Sequence, residues 1–353
     1  MVHKNHRYSK TFLDLPIVEI HKLKPGDSVA IVSPSSSAAG MFPEVFALGV
    51  KRLEDVFGLK VKIYPSTANI SATLEDKARD LMDAFRDPEN KGVIATIGGM
   101  IEKDLIPLLD ENVFLENPKP FFGYSDNTHF HVLLSRLGIP SYYGGSVMTQ
   151  YASPQSMSPY TVSYLHSALF TTELRVLESS PVFSEHDVDW GGADWNKPRS
   201  YETSPELLWD GVIDAEGILW GGCVESLLNI ELPKNGLLKG HILILETSEE
   251  MPSLDDVEKL LRRFGSKGVF DEVCAVLVGI PKSWSFERPL STEESVQFKN
   301  QQSDLLLRVI REYTTEIPII QRLNFGHTDP QAVIPLGRMA YIDSSAKVIK
   351  LQY

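Results

Sequence analysis

The chain has 353 residues, 42% hydrophobic and 23% charged, which excludes a disordered, collagen-like or coiled-coil protein. Its formal net charge of −13 argues against nucleic acid as a partner, because a phosphate backbone would be repelled. No apolar run of about 18 residues occurs, so we expect no membrane segment. The sequence has no secretory signal pattern, and its two cysteines are too few for a disulfide framework. We therefore expect a cytoplasmic protein.

The first part of the chain alternates strand and helix patterns. Short apolar or alternating runs predict strands at 28–35, 60–65, 92–99, 120–125 and 140–145. Helical spacing between those runs predicts helices at 43–57, 73–85, 102–109 and 127–137. This order is typical of a parallel sheet covered by helices on both faces. In such sheets the functional groups lie beyond the carboxyl ends of the strands.

The pattern changes between residues 151 and 209, a stretch rich in Ser, Pro, Asp and Trp. A segment of this length with little regular structure is usually functional or flexible, and we interpret it as a linker with a tryptophan-containing loop. We therefore predict an N-terminal α/β domain at 1–150, this linker and loop at 151–209, and a C-terminal domain at 210–353. Two closing runs, AVIPLG and KVIKLQY, predict hairpin-like strands.

The sequence GYSDN at 123–127 has the pattern of a nucleophile elbow. A predicted strand ends there and a helix begins at once, which would expose the Ser125 hydroxyl at the helix N-terminus. Asn127 stands where the second glycine of the Gly-x-Ser-x-Gly pattern normally occurs. The alternative is that Ser125, Asp126 or Asn127 only caps the following helix, and the local pattern alone favours this capping role.

A nucleophilic serine needs a base and an orienting acid, and two later strand ends supply candidates. Glu246 ends the apolar run HILILE, where the alternative role is a helix cap. His327 lies in the loop NFGHTDP, where the alternative is a solvated side chain. Gly98 and Gly99 end the third predicted strand, and their N–H groups would suit an oxyanion, although an ordinary tight turn is more frequent.

Metal-ligand patterns are weak in this sequence. His129 and His131 are two residues apart, so on a helix they point in different directions. Cys223 opens a predicted helix, where a buried packing role is more frequent than a thiol nucleophile. Cys223 and Cys274 also lack the spacing of metal ligands, so we predict no metal site and no cofactor.

Several motifs in order resemble the LD-carboxypeptidase family of serine peptidases. They are GDSVAIVSPSS, TIGG, GYSDNT, WGGCVESL, ILILET and NFGHTDP, and they span nearly the whole chain. The resemblance implies a triad of Ser125, Glu246 and His327. It implies an oxyanion hole made by the backbone amides of Gly99 and Asp126. It also implies a parallel α/β N-terminal domain with the nucleophile elbow, a smaller β-rich C-terminal domain, an active site between them and a homodimer.

Two branches of this family are alternative interpretations. Murein-recycling members release a terminal D-alanine from a tetrapeptide, whereas the microcin C self-immunity branch cleaves the bond between an aminoacyl group and a nucleotide-like moiety. Glu225, Trp190 and Trp195 match the immunity branch, so we favour a small aminoacyl- or peptidyl-nucleotide substrate. Cys223 stands where the family typically has a substrate-holding Asn. A family member that binds such ligands without cleaving them is the alternative of another class.

Overall fold

The computed structural model describes residues 17–233 and 236–353. Within these two ranges, none of the helices combines the length and apolar character needed to cross a membrane. In chain order the strands are β1 (Ser28–Val32), β2 (Lys60–Ile63), β3 (Asn90–Ala95), β4 (Phe121–Gly123), β5 (Ser141–Tyr143), β6 (Leu174–Val176), β7 (Val182–Phe183), β8 (Glu202–Thr203), β9 (Leu208–Asp210), β10 (Ala215–Cys223), β11 (His241–Glu246), β12 (Ala275–Gly279), β13 (Ile319–Leu323), β14 (Ile334–Leu336), β15 (Met339–Asp343) and β16 (Val348–Gln352).

The helices lie between these strands. They are α1 (Ala38–Met41), α2 (Pro43–Asp55), α3 (Leu74–Arg86), α4 (Glu102–Leu105), α5 (Glu111–Glu116), α6 (Thr128–Arg136), α7 (Pro159–Phe170), α8 (Val224–Leu227), α9 (Leu254–Ser266), α10 (Val269–Glu272) and α11 (Thr292–Arg311). Side chains in the first turn cap the N-termini of several of these helices. Ser291, for example, accepts a hydrogen bond from the Glu294 amide while the Glu294 carboxylate accepts one from the Ser291 amide, which is a capping box.

The first sheet has the strand order β14-β5-β4-β3-β1-β2. Strands β1 to β5 pair in parallel, as the alternation of strands and helices predicted. Four of the five residues of β1 are buried, because helices cover such a sheet and its strands need apolar side chains on both faces. The predicted α/β class is therefore confirmed.

The second sheet has the order β6-β16-β15-β10-β11-β12-β13-β9. Its centre, β10 to β13, is parallel, and antiparallel strands flank this centre on both sides. All six residues of β11 are buried, which explains the apolar run HILILE. Glu246 ends this strand, so a carboxylate is held in the interior at the carboxyl edge of the sheet.

One expectation about the chain end is wrong. The run AVIPLG does not form a hairpin with KVIKLQY, because β14 crosses to the first sheet and pairs antiparallel with β5. The terminal hairpin is formed instead by β15 and β16. The crossing strand follows the loop of His327, so it ties that loop to the sheet that leads into Ser125.

Candidate active site

Ser125 follows β4 and lies in a short turn before α6, where its φ is +67°. A non-glycine residue rarely adopts this left-handed conformation, and neighbouring polar groups hold it. The Ser125 amide donates to the Tyr143 hydroxyl at 3.1 Å. The hydroxyls of Thr128 and Ser226 donate to the Ser125 carbonyl at 2.6 and 3.3 Å. The elbow geometry predicted for this turn is therefore present, and both backbone polar groups of Ser125 are bonded.

The polar side chains of this turn do not cap the following helix. Tyr124 and Asn127 are the N-cap residues of the turn and of α6, and within the described chain neither makes a side-chain cap hydrogen bond. Asn127 instead donates from its amide group to the Tyr124 carbonyl at 2.9 Å. The Asp126 side chain is also engaged elsewhere, so the polar residues of this turn organise the turn itself.

Glu246 and His327 come into direct contact. Nδ1 of His327 lies 2.7 Å from Oε2 of Glu246, whose side chain is fully buried. The other carboxylate oxygen of Glu246 accepts a hydrogen bond from the Tyr143 hydroxyl, which itself accepts the Ser125 amide proton. A continuous hydrogen-bonded path therefore joins His327, Glu246, Tyr143 and the backbone of Ser125.

The environment of His327 is strongly negative. Burial lowers the pKa of its imidazole, but the charges of Glu246, Glu249 and Glu225 outweigh burial and raise this pKa to about 9. Oε2 of Glu249 lies 3.5 Å from Nε2 of His327. Three carboxylates thus act on one imidazole.

The glycine pair at the end of β3 lies against the elbow. A Cβ added to Gly98 would lie 2.7 Å from Cβ of Ser125 and 3.3 Å from the amide nitrogen of Asp126. Gly99 has a φ of +153°, and a Cβ there would collide with the Ser35 hydroxyl. Only glycine allows the backbone to come this close, so the structure places Gly98 against Ser125 and the Asp126 amide, and Gly99 against Ser35.

The Asp126 side chain is fixed beneath the elbow. Its carboxylate accepts hydrogen bonds from the Ser35 hydroxyl and, at 3.0 Å, from the Glu102 amide, and it lies 3.2 Å from Nδ1 of His129. Burial raises the pKa of Asp126, but the hydrogen bonds from His129, Ser35 and Glu102 outweigh burial and lower it. The charged side chain thus positions the backbone whose amide was predicted to donate to an oxyanion.

Cys223 ends β10 in register with Glu246 on β11, so both side chains reach the same edge. Its Sγ lies 3.1 Å from Oε2 of Glu225, and the other Glu225 oxygen accepts from the amide and hydroxyl of Ser248 at 2.8 and 2.6 Å. Burial, followed by the charge of Glu246, raises the pKa of Glu225. Cys223, Glu246 and His327 each offer one donor atom within 4.8 Å of the others.

The two tryptophans of the long loop occupy different surroundings. The Trp190 ring contacts Phe42 edge to face, with centroids 5.5 Å apart. Phe42 immediately precedes α2, in the stretch that follows β1 at the carboxyl edge of the first sheet. Trp195 lines a surface cavity of about 500 Å³ together with His186 and other residues of its own loop. Both tryptophans are partly buried against the same hydrophobic core, and Trp190 is the one whose ring contacts the stretch that leads into α2.

Sequence reasoning missed several residues of this site. Tyr143 joins the serine backbone to Glu246, Glu249 adds charge beside His327, and Ser35 touches both oxyanion residues. A usable signal existed for Ser35, because it ends the strand predicted at 28–35, whereas Tyr143 lies inside the strand predicted at 140–145 and ends the shorter observed strand β5. Glu249 lies in a loop with several acids and has no distinguishing local pattern.

Two family models match the chain. The LD-carboxypeptidase N-terminal domain matches residues 29–144, and the LD-carboxypeptidase C-terminal domain matches residues 216–342. The chain belongs to the LD-carboxypeptidase family. As a member of this peptidase family it is a hydrolase.

Named family members cover nearly the whole chain. The microcin C7 self-immunity protein MccF of Escherichia coli is 24% identical over 341 residues, which are 93% of this chain and 94% of that protein. A Bacillus subtilis protein named "probable murein peptide carboxypeptidase" is 23% identical, covering 94% of this chain and 93% of its own length. An MccF-like protein from Streptococcus pneumoniae, solved in complex with AMP, is 30% identical with a TM-score of 0.82, covering 93% of this chain and 99% of that one.

Proposed function

We propose that this LD-carboxypeptidase family member is a serine-type hydrolase that cleaves the amide-type bond of aminoacyl- or peptidyl-nucleotide compounds. Ser125 is the nucleophile, His327 the base and Glu246 the acid that orients the base. The observation that carries the proposal is the 2.7 Å contact between His327 and Glu246, linked through Tyr143 to the strained backbone of Ser125.

The proposed mechanism is acyl transfer through the serine. Ser125 Oγ attacks the substrate carbonyl while Nε2 of His327, in the neutral form of its imidazole, takes the serine proton, because Nδ1 is engaged by Glu246. The developing oxyanion accepts hydrogen bonds from the amides of Gly99 and Asp126, and loss of one such donor typically costs about 3–4 kcal/mol. His327 then protonates the leaving group. Finally it activates the water that releases the acyl group from Ser125.

Recognition of the nucleotide part is assigned to Trp190. Its ring meets Phe42 near the carboxyl edge of the sheet that leads into Ser125, and a half-buried indole at that edge can still offer part of its ring to a planar base. The Streptococcus pneumoniae relative was solved with AMP and the Escherichia coli relative is a microcin immunity protein, and both support a nucleotide-like ligand. Glu225 and Cys223 are assigned to the aminoacyl side, because they lie beside Glu246.

The murein carboxypeptidase activity is the second candidate, favoured by the similarity to the Bacillus subtilis protein. The discriminating experiment compares an aminoacyl-sulfamoyl adenosine with a murein tetrapeptide ending in D-alanine, with products separated by chromatography. We expect kcat/KM to be at least tenfold higher for the nucleotide compound. Ser125→Ala, assayed in parallel, gives the uncatalysed background. A tenfold preference for the tetrapeptide would instead assign the murein activity.

The proposed assembly is a homodimer in which each chain has the three parts expected from sequence, 1–150, 151–209 and 210–353. Glu246 and His327 come from the third part and Ser125 from the first, so each chain contains a complete triad. Light scattering should give a mass of twice 39.5 kDa. A mass of 39.5 kDa at micromolar concentration would assign a monomer.

A further inference from the structure

Three side chains of different chemistry converge where β10 and β11 end. Sγ of Cys223, a carboxylate oxygen of Glu246 and a ring nitrogen of His327 lie within 4.8 Å of one another. Thiolate sulfur, carboxylate oxygen and imidazole nitrogen are the three donor types of protein zinc sites, with bond lengths of about 2.0–2.3 Å. Donors around a tetrahedral ion at those lengths are about 3.3–3.8 Å apart, so side-chain movements of about 1 Å would bring this cluster to a binding geometry.

The charge around this cluster also favours a cation. Oε2 of Glu225 lies 3.1 Å from Sγ of Cys223, and Oε2 of Glu249 lies 3.5 Å from Nε2 of His327. With Glu246 there are three carboxylates beside a single imidazole. A divalent ion placed among them offsets their mutual repulsion. Glu225 and Glu249 each offer a further carboxylate oxygen, one beside Cys223 and the other beside His327, so a fourth donor is available.

The thiol decides the class of ion. Mg²⁺ and Ca²⁺ prefer oxygen donors alone, whereas Zn²⁺ and Co²⁺ bind thiolate together with imidazole. We propose that Cys223, Glu246 and His327 form a site for a thiophilic divalent cation such as Zn²⁺, and that the bound ion inhibits the enzyme. Binding forms a metal–sulfur bond and releases the thiol proton to solvent. The metal-bound imidazole can no longer accept the proton of Ser125; this inhibitory consequence rests on the proposed function, whereas the binding itself does not.

Co²⁺ is the probe for binding, because a cobalt–thiolate bond gives a near-ultraviolet charge-transfer band. We expect one Co²⁺ per full-length chain, with a band that Zn²⁺ abolishes by displacement. Cys223→Ser should lose the band. Cys274→Ser is the matched control and should keep it, because Cys274 lies against the carbonyls of Glu216 and His241, apart from the cluster.

A second variant tests the site independently, in case Cys223→Ser does not fold. His327→Ala keeps the thiol and should weaken Co²⁺ binding at least tenfold, with thermal melting checking that each variant is folded. Absence of the band in the wild type, or an unchanged band in folded Cys223→Ser, overturns the proposed site. If Cys223→Ser does not fold, Co²⁺ affinity in His327→Ala within twofold of the wild-type value overturns it instead.

Inhibition is measured separately from binding. Zn²⁺ should abolish hydrolysis of the preferred substrate, and Cys223→Ser should need at least tenfold more Zn²⁺ for half-inhibition, each variant being normalised to its own metal-free rate. Co²⁺ binding in a protein that hydrolyses neither substrate would uphold the metal site and overturn the proposed function. Hydrolysis by a protein that gives no Co²⁺ band would uphold the proposed function and overturn the metal site.

Discussion

Neighbouring glycines make room for the strained backbone conformation of Ser125. Ser125 has a φ of +67°, a conformation that costs about 1–3 kcal/mol for a non-glycine residue. A Cβ at Gly222 would lie 2.6 Å from the Thr128 hydroxyl, which is the group that holds the Ser125 carbonyl. A Cβ at Gly98 would press on Ser125 itself. Small residues on both sides therefore let the surrounding hydrogen bonds fix this conformation.

Replacing Ser125 by alanine tests the nucleophile. Ser125→Ala should lower turnover by about 10⁴- to 10⁶-fold, because the acyl-enzyme can no longer form. The hydrogen bonds that hold the turn use the Ser125 backbone, so the melting temperature should stay close to that of the wild type.

A fluorophosphonate probe provides the companion measurement. The wild type should be labelled on Ser125 and the variant should not. Turnover of Ser125→Ala within tenfold of the wild-type rate would remove Ser125 from the proposed role. A folded wild type that is neither labelled nor active would favour a non-catalytic binding protein.

At the scale of elements, the segment expected to be a linker is firmly attached. The Glu185 carboxylate is buried against the Lys299 ammonium of α11 at 2.7 Å. Ser184 and Asp329 exchange backbone hydrogen bonds of 2.6 and 2.9 Å, two residues after His327. The segment is therefore bonded both to α11 and to the loop that presents the proposed base.

Glu185→Gln tests this attachment through its pH dependence. Burial raises the pKa of Glu185, but the charge of Lys299 and hydrogen bonds from Lys299, Ser283 and Ser295 outweigh burial and hold it below its ordinary value of 4.5. The stabilisation is therefore complete above about pH 4.5 and is lost as the pH falls through the folded-state pKa. Urea unfolding at pH 7 should show a loss of about 3–5 kcal/mol, because Lys299 becomes a buried unpaired charge.

The difference in unfolding free energy between Glu185→Gln and the wild type should narrow as the pH falls from about 4.5 through the lowered pKa of the Glu185 carboxyl. Glu206→Gln is the matched control, because Glu206 is an exposed carboxylate of the same segment and its loss should change stability by less than about 0.5 kcal/mol. A difference in unfolding free energy that does not change with pH would show that the ion pair between Glu185 and Lys299 does not hold the segment to α11.

The two tryptophans of this segment give a test of substrate class. Stacking of a base on an aromatic ring is worth about 1–3 kcal/mol, so Trp190→Ala should raise KM for the nucleotide compound by about 5- to 150-fold. The murein tetrapeptide has no planar ring, so its KM should change little. Trp195→Ala is the matched control, because Trp195 lines the cavity of its own loop. If neither variant distinguishes the two substrates, the murein activity becomes the better assignment.

At the scale of the whole molecule, each sheet supplies part of the site. The turn after β4 in the first sheet provides Ser125, and the ends of β11 and β13 in the second lead to Glu246 and His327. Because β14 continues from the His327 loop into the first sheet, the chain itself bridges the two halves. The relative positions of Ser125 and His327 thus depend on how the two sheets are packed together.

Metal removal and thiol alkylation test the chemistry of the whole site. Activity should survive EDTA, because no proposed step uses a metal ion, and it should rise if purified protein carries inhibitory Zn²⁺. Activity should also survive iodoacetamide, because Cys223 is only 2% exposed. Loss on EDTA treatment that added metal restores would assign the metal a catalytic role. Loss in Cys223→Ser on the scale of Ser125→Ala would move the nucleophile to the thiol.

Much of the fold follows from local pattern. β11 occupies the residues predicted for it, because a strand buried on both faces has to be a continuous apolar run. The helix predicted at 73–85 is found one residue further on, as Leu74–Arg86, because Thr73 and Asp76 form a capping box at its start. Very short elements such as α5 (Glu111–Glu116) were missed, because one or two turns give too few residues for a period to be recognised.

The sequence by itself determined the α/β class and the strand end at Glu246, since burial imposes a pattern on adjacent residues, whereas the local pattern at Ser125 left both an elbow and a helix cap open. Only the tertiary structure decided that Tyr143 reaches Glu246 across 103 residues, and that Cys223 and Glu249 join His327 at one edge. Such contacts arise from the packing of one sheet against another and depend on residues distant in sequence. No local sequence pattern predicts such contacts, so the charges and donor atoms of the site can be identified only in the folded chain.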